Sequence, residues 1–233
     1  MIETAESDGV ATVTIDRTNR RNALTPDGLD ALAAAIETVE TPVAYLHGAG
    51  SAFCAGADFD VVAGLDSAAA AEEFAERGQR VARTIASADA VVVAGIDGPA
   101  RGGGVELALA CDLRVATPRA TFGEPGVQLG LLGAWGGTVR LSEVLRFGDA
   151  MDLALSGRVV DAAEAHRIGL VSHVVEEPFE VARELAANDP TALAEIKALM
   201  RDDRPREERE AAEAAAFARL APGFDGVETG TGR

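Results

Sequence analysis

AVVVAGIDGPARGGGVELALA, residues 90–110, is the stretch whose reading decides the fold. Ala90 to Ile96 is an unbroken apolar run of strand length, as expected for a strand buried on both faces. Gly98 to Gly104 is a glycine-rich turn, and Val105 to Ala110 continues as an apolar helix. A strand that passes through such a turn into a helix leaves free backbone N–H groups at the helix start. Small residues there let a ligand approach the main chain closely.

The same grammar recurs on either side. Upstream, Pro42 to His47 (PVAYLH) reads as a second buried strand that runs into a loop of small residues, Gly48 to Ala57. Val10 to Asp16 alternates like a half-buried strand, and Asn19 to Asn22 is a polar turn. Thr25-Pro26-Asp27 carries the marks of a helix start, with Leu29, Leu32, Ile36 and Val39 following at helical spacing. Ala68 to Ile85 reads as a helix with Phe74, Val81 and Ile85 on one side, and Leu113 to Ala116 as a short strand. Strands alternating with helices predict a parallel α/β sheet joined by crossovers. Downstream of Gly136 the chain turns mainly helical. Asp161 to Ile168 is a helix stopped by Gly169, and Leu170 to Val175 is a short strand. Helices near Glu180 to Ala187 and Thr191 to Met200 flank Pro190, and Pro205 to Leu220 is a long charged helix. The glycine-rich tail, Gly223 to Arg233, is expected to fray. Residues 1–175 are expected to form the α/β core and 176–233 a helical subdomain.

Composition narrows the function. Among 233 residues, 38 acids against 21 bases give a formal charge of −17. Such a field repels phosphate backbones, so neither nucleic acid nor an anionic membrane is an expected partner. Aromatics at 4% do not supply a base-stacking platform. The N-terminus has no apolar signal core, and Cys54 and Cys111 lack metal-ligand spacing, which together suggest a reduced, cytoplasmic protein. Lys197 is the sole lysine. The acid excess suggests a salt-adapted, halophilic protein. Codon bias in a high-GC genome would explain the missing lysine but not the acids.

Two loops can carry chemistry, because ligands bind beyond the carboxyl ends of strands in open α/β sheets. They are Ser51 to Asp58 (SAFCAGAD) and Gly98 to Glu106. Free N–H groups at the second suit a phosphate or the oxyanion of a reacting carbonyl. Gly102-Gly103-Gly104 lacks both the dinucleotide spacing and the P-loop lysine, and Glu106 would repel a phosphate. Beside a carbonyl, Glu106 could act as acid or base. On these residues alone a plain strand-to-helix turn, with Glu106 in a helix's first turn, is about as good a reading.

Taken together, five ordered blocks resemble the crotonase superfamily of enoyl-CoA hydratases and isomerases. They are Asp16-Arg17 through Arg21-Asn22-Ala23-Leu24; Phe53 to Asp58; Val93 to Leu107, ending in Cys111-Asp112; Phe122-Gly123-Glu124-Pro125 with Gly130 and Gly136-Gly137-Thr138; and Ser156-Gly157-Arg158 with Glu164-Ala165 and Gly169-Leu170-Val171. The resemblance implies a crotonase-like spiral of ββα repeats followed by C-terminal trimerising helices. It implies an acyl-CoA substrate with no separate cofactor, no metal, and a homotrimer or a hexamer built as a dimer of trimers. Carried over by position, the backbone N–H groups of Ala57 and Gly103 would form an oxyanion hole, and Glu106 would be the acid/base. The implied binding residues are Arg21, Ala23 and Leu24 at the first block and Ala55, Ala57, Asp58 and Phe59 at the second. Gly102, Gly103, Gly126 and Trp135 complete the set. Arg21 replaces lysine as a candidate for the CoA phosphates.

The departures bear on the reaction. The family's hydratases carry a second glutamate after the third-block proline, where this chain has Gly126. Glu124, two residues earlier, shares a face with that position in an extended segment and could substitute. A solvated or structural role for Glu124 is the favoured reading. Gly133-Ala134-Trp135 stands where Pro-Gly-Ala is common; Trp135 either narrows the acyl pocket or simply packs in the core. Asp112 is expected to anchor neighbouring backbone. Cys54 has no paired histidine and is not expected to be a nucleophile, and Asp60 is within conceivable reach of the substrate channel. Restoring a glutamate at 126 is expected to raise hydratase activity if the pocket has room. Three alternatives stay open: decarboxylation, hydrolysis or carbon–carbon bond chemistry on an acyl-CoA enolate; double-bond isomerisation; and a CoA-binding protein that has lost catalysis.

Overall fold

The structure is a computed structural model that describes residues Met1–Phe224. It opens on an antiparallel hairpin, β1 (Ile2–Ser7) and β2 (Val10–Ile15), closed by Asp8-Gly9. Both turn residues have positive φ, +53° and +74°, as a two-residue turn with the right-handed strand twist requires. Sequence patterning missed β1 because all but its first residue are exposed, so no apolar alternation marks it. Thr25 caps α1 (Pro26–Glu37), its hydroxyl accepting from the Gly28 N–H at 3.2 Å, and the helix buries Leu29, Leu32 and Ile36. Next come β3 (Val43–Gly48), the short α2 (Phe59–Ala63), and α3 (Ala68–Ser87), which buries Phe74, Gly78, Val81, Ala82 and Ile85.

The decisive stretch forms as expected, with two refinements. All six residues of β4 (Val91–Ile96) are buried, and so are all eight of α4 (Gly103–Ala110). Between them the glycine turn contains a short strand, β5 (Pro99–Arg101), and α4 starts two residues before Val105. The chain continues through β6 (Leu113–Ala116), β7 (Thr121–Gly123), a 3-10 turn at Pro125–Leu129, α5 (Gly137–Val144) and α6 (Phe147–Ser156). Then follow β8 (Val159–Asp161), α7 (Ala162–Ile168), β9 (His173–Val174) and α8 (Pro178–Ala186). The strand expected over 170–175 is thus only two residues long. Gly169, at φ +86°, stops α7 as its sequence signalled.

The main sheet has the order β1-β2-β3-β4-β6-β9 and is parallel from β2 onward. A second, three-stranded sheet runs β5-β7-β8, with β5 and β7 parallel. Asp112 ties the sheet to the end of α4: its carboxylate accepts from the Val92 N–H at 2.7 Å. Contacts divide the chain into Met1–Ala187 and a unit that begins at Asn188. Because α8 packs on β3, it stays with the first unit, beyond the 175/176 boundary expected from sequence. The second unit is a helical pair, α9 (Pro190–Met200) and α10 (Arg206–Leu220), joined by a two-pronged Arg219–Glu195 ion pair. Pro190 occupies the first turn of α9 rather than a linker, with Asp189 as its cap. The expected fraying beyond Phe224 lies outside the described residues.

Candidate active site

The two small-residue loops lie side by side in a short parallel ribbon. The Phe53 N–H donates to the Pro99 carbonyl at 3.1 Å, and the Arg101 N–H donates to the Cys54 carbonyl at 3.0 Å. Three residues further along each strand of this ribbon stand Ala57 and Gly103. Ala57 also bridges Leu24, but that pairing uses the Gly56 carbonyl and the Asp58 N–H. The Ala57 N–H is therefore turned the other way and meets no acceptor among the described residues. Gly103 opens α4, where the N–H has no intrahelical partner. Gly56, at φ +86°, makes the approach possible: a β-carbon there would lie 2.7 Å from the Arg101 carbonyl oxygen and 2.9 Å from the Gly103 nitrogen. Two unbonded N–H groups at the meeting of two rigid loops can stabilise negative charge on an oxygen.

A second frame holds the first loop. Asn22 is fully buried at φ +60°, a conformation asparagine tolerates better than most residues. Its amide donates to the Ala49 and Ala52 carbonyls at 2.9 and 2.7 Å and accepts from the Arg17 N–H. Arg17 in turn binds the Ala23 carbonyl and the Asp58 carboxylate. The Asp58 carboxylate pairs with Arg17 and accepts from the Asp60 N–H at 2.9 Å, which holds the loop. Leu24 is buried and Ala23 nearly so, and both act through their backbones. Ala55 donates to the Arg21 carbonyl. The Arg21 side chain is exposed with no ion-pair partner among the described residues, and Phe59 stands exposed just past Ala57. Asp60 is exposed and paired with Arg20. Cys54 is fully buried, bonded to the Asn22 carbonyl, and burial pushes its thiol up to about 12, which removes it as a nucleophile.

Glu106 is one helical turn beyond Gly103 and is 2% exposed. Its Oε1 accepts from the Trp135 N–H at 2.8 Å and from the Gly137 N–H, in the first turn of α5, at 2.5 Å. Oε2 takes no hydrogen bond from the described residues. Burial raises the Glu106 pKa, while the two N–H donors and the nearby Arg140 charge oppose the rise. Glu124, 6% exposed, faces the same point. A β-carbon on Gly133 would lie 3.0 Å from Glu106 Oε1 and 3.2 Å from Glu124 Oε2, so the chain passes close over both carboxylates. Glu124 Oε1 is buried with no hydrogen-bond partner. Burial, and after it the charge of Glu106, raises the Glu124 pKa. The reading of Glu124 as a solvated acid is therefore corrected. With N–H donors on Glu106 and none on Glu124 Oε1, hydrogen bonding favours the charge on Glu106 over Glu124.

Gly126 is the vacated position, and the space beside it is tight. The loop after the 3-10 turn folds back across it: a β-carbon would stand 3.2 Å from the Leu131 carbonyl oxygen and 3.3 Å from the Leu132 carbonyl carbon. Trp135 is buried, its ring 5.8 Å from that of Phe74 in an edge-on contact. Gly102, at φ +48°, takes a backbone conformation open to glycine and delivers the chain into α4. The structure brings four of the residues singled out from sequence, Glu106, Glu124, Ala57 and Gly103, to one end of α4 and its neighbouring loop. Arg17, Gly133 and Gly137 stand within the quoted motifs, but the contacts they make cross the fold and are not legible in sequence. Among the described residues no cluster fits a metal ion, and no helix is long and apolar enough to cross a membrane.

Residues 5–221 match the family described as Enoyl-CoA hydratase/isomerase. The chain is 36% identical over 195 residues to the short-chain-enoyl-CoA hydratase of Clostridium acetobutylicum, covering 79% of this chain and 74% of that protein. It is 40% identical over 172 residues to the crotonyl-CoA hydratase of Syntrophomonas wolfei, covering 72% of this chain and 66% of that one. The solved enoyl-CoA hydratase of Thermoplasma volcanium superposes with a TM-score of 0.90 at 30% identity, covering 95% of this chain and 92% of that one.

Proposed function

The chain belongs to the enoyl-CoA hydratase/isomerase family, and on that premise we propose that it adds water across the double bond of a 2-enoyl-CoA thioester. One observation carries this reading: two unbonded N–H groups, Ala57 and Gly103, stand together one helical turn from a buried glutamate. The thioester oxygen accepts from both N–H groups. The Glu106 carboxylate takes a proton from water as the water oxygen bonds to the β-carbon. The π electrons move to the thioester oxygen as an enolate, and the two donors stabilise that charge in a dry site, where one such donor is worth ~10²-fold or more in rate.

The α-carbon must then receive a proton. Glu124 supplies it, because its raised pKa keeps it protonated beside an ionised Glu106. Glu106 and Glu124 thus divide the base and acid roles. CoA enters as part of the substrate. Arg21, the arginine near the first loop without an ion-pair partner among the described residues, binds a CoA phosphate through its guanidinium. The exposed apolar side chains Leu129, Leu131, Leu132, Val139 and Phe147 support assembly into a homotrimer or a dimer of trimers.

The test is Glu106→Gln. Hydration of crotonyl-CoA, followed by loss of the conjugated thioester absorbance, is expected to fall ~10²- to 10⁴-fold with the fold intact. Unchanged turnover would overturn the assignment. Activity on a 3-enoyl-CoA alone, with none on crotonyl-CoA, would select double-bond isomerisation instead.

A further inference from the structure

Trp135 occupies a place that two glycines vacate. A β-carbon on Gly78, in the middle of α3, would lie 2.0 Å from Cδ1 of the indole, and one on Gly103 would lie 2.2 Å from Cζ3. The ring is therefore wedged between α3 and the first residue of α4, against the very residue that offers the Gly103 N–H. A helix-interior glycine costs ~1 kcal/mol relative to alanine, so Gly78 is explained by the ring it admits. The backbone around the ring is fastened on both sides. The Gln79 amide donates to the Ala134 carbonyl at 2.9 Å, the Arg140 guanidinium donates to the Trp135 carbonyl at 3.3 Å, and the Trp135 N–H is held by Glu106. These bonds fix the Trp135 backbone, and α3 and Gly103 close on the ring from either side.

We propose that Trp135 is the residue that limits acyl length, restricting the enzyme to short-chain acyl thioesters. The inference rests on the proposed placement of the thioester. With the carbonyl oxygen on Ala57 and Gly103 and the β-carbon at Glu106, the substrate lies along the first turn of α4. The γ-carbon is then the first to meet the segment that holds Glu106, and the indole fills the space between that segment and α3. Each methylene that must find another path forfeits a contact, and one methylene in an apolar pocket changes kcat/KM by ~10-fold or more.

The experiment measures kcat/KM for 2-enoyl-CoA substrates with acyl chains of four, eight and twelve carbons, in the wild type, Trp135→Ala and Trp135→Leu. The same lengths of saturated acyl-CoA are titrated calorimetrically. In the wild type the eight-carbon substrate is expected to fall at least ~10-fold below the four-carbon one, and the ratio is expected to rise ~10-fold in either variant. Trp135→Leu keeps the test alive should Trp135→Ala fail to fold. A wild type that handles twelve carbons as well as four, or a length ratio unmoved in a folded variant, overturns the proposal. Binding without turnover whose length dependence relaxes in the variants would sink the hydration reading while supporting Trp135 as the limit.

Discussion

Replacing Glu124 with methionine tests the carboxylate pair through its protons. Methionine fills a similar volume and brings no group that titrates. In the folded protein, burial and then the charge of Glu106 raise the Glu124 pKa. In the unfolded chain a glutamate titrates near ~4.3. A raised folded-state pKa means that the proton's stabilisation is fully present below ~4.3 and is lost as pH climbs toward the folded value. Between about pH 5.5 and 6.5 the folded state holds this proton and the unfolded state does not. One such site lowers the unfolding free energy by ~1.4 kcal/mol for each pH unit. Glu106, also raised by burial, adds its own slope to the wild type and retains part of it in the variant. Urea unfolding across that pH unit should therefore show Glu124→Met gaining at least ~1.4 kcal/mol on the wild type. A constant offset belongs to removal of the unpartnered Glu124 Oε1, an unsatisfied group that costs ~1–3 kcal/mol. Parallel stability lines for the two proteins would refute the argument, because they would mean that Glu124 titrates as an ordinary surface acid.

Other outcomes follow from the same geometry. Gly126→Glu must push the Leu131 and Leu132 backbone aside by a few tenths of an ångström, so it should lower stability by ~1–3 kcal/mol in chemical denaturation and bring no gain in hydration of crotonyl-CoA. This reverses the gain expected from sequence, where the fold-back of the loop was invisible. Gly78→Ala should also destabilise by ~1–3 kcal/mol through its clash with the indole, but in a Trp135→Ala background the same change should become stabilising by up to ~1 kcal/mol; additive effects in that double-mutant cycle would contradict the packing described. With a formal charge of −17, thermal stability and CoA affinity should both rise from low to molar salt, where the Debye length shrinks to ~3 Å. A midpoint that falls, or stays level, would remove the case for salt adaptation.

The parts of the fold that were legible in the sequence are those where one local rule acts without competition. Val91–Ile96 is buried throughout and reads as a buried strand; Thr25 and Pro26 start α1 where their chemistry says they should. The exposed β1 has no pattern to read, though Asp8-Gly9 was a hairpin signal in plain view. β7 and β8, three residues each, are too short to show a period. At the site, Glu106 could be picked out because a carboxylate beside a glycine turn is conspicuous. The environment of Glu124 could not, since its burial depends on Gly133 crossing over it and on Glu106 arriving from another helix. The partner of Asp58 was equally hidden: its carboxylate turns to Arg17, forty-one residues away along the chain.

The single lysine offers an experimental handle. Lys197 lies on α9 and is only 9% exposed, so an amine-reactive reagent meets, apart from the N-terminal amine, one slow target in the whole molecule. Its modification rate, followed by the mass of one peptide, would time the local opening of the helical pair that begins at Asn188, with no engineered label. Comparing that rate with and without acyl-CoA would tell whether ligand quiets that pair, a measurement that lysine-rich proteins do not permit so simply.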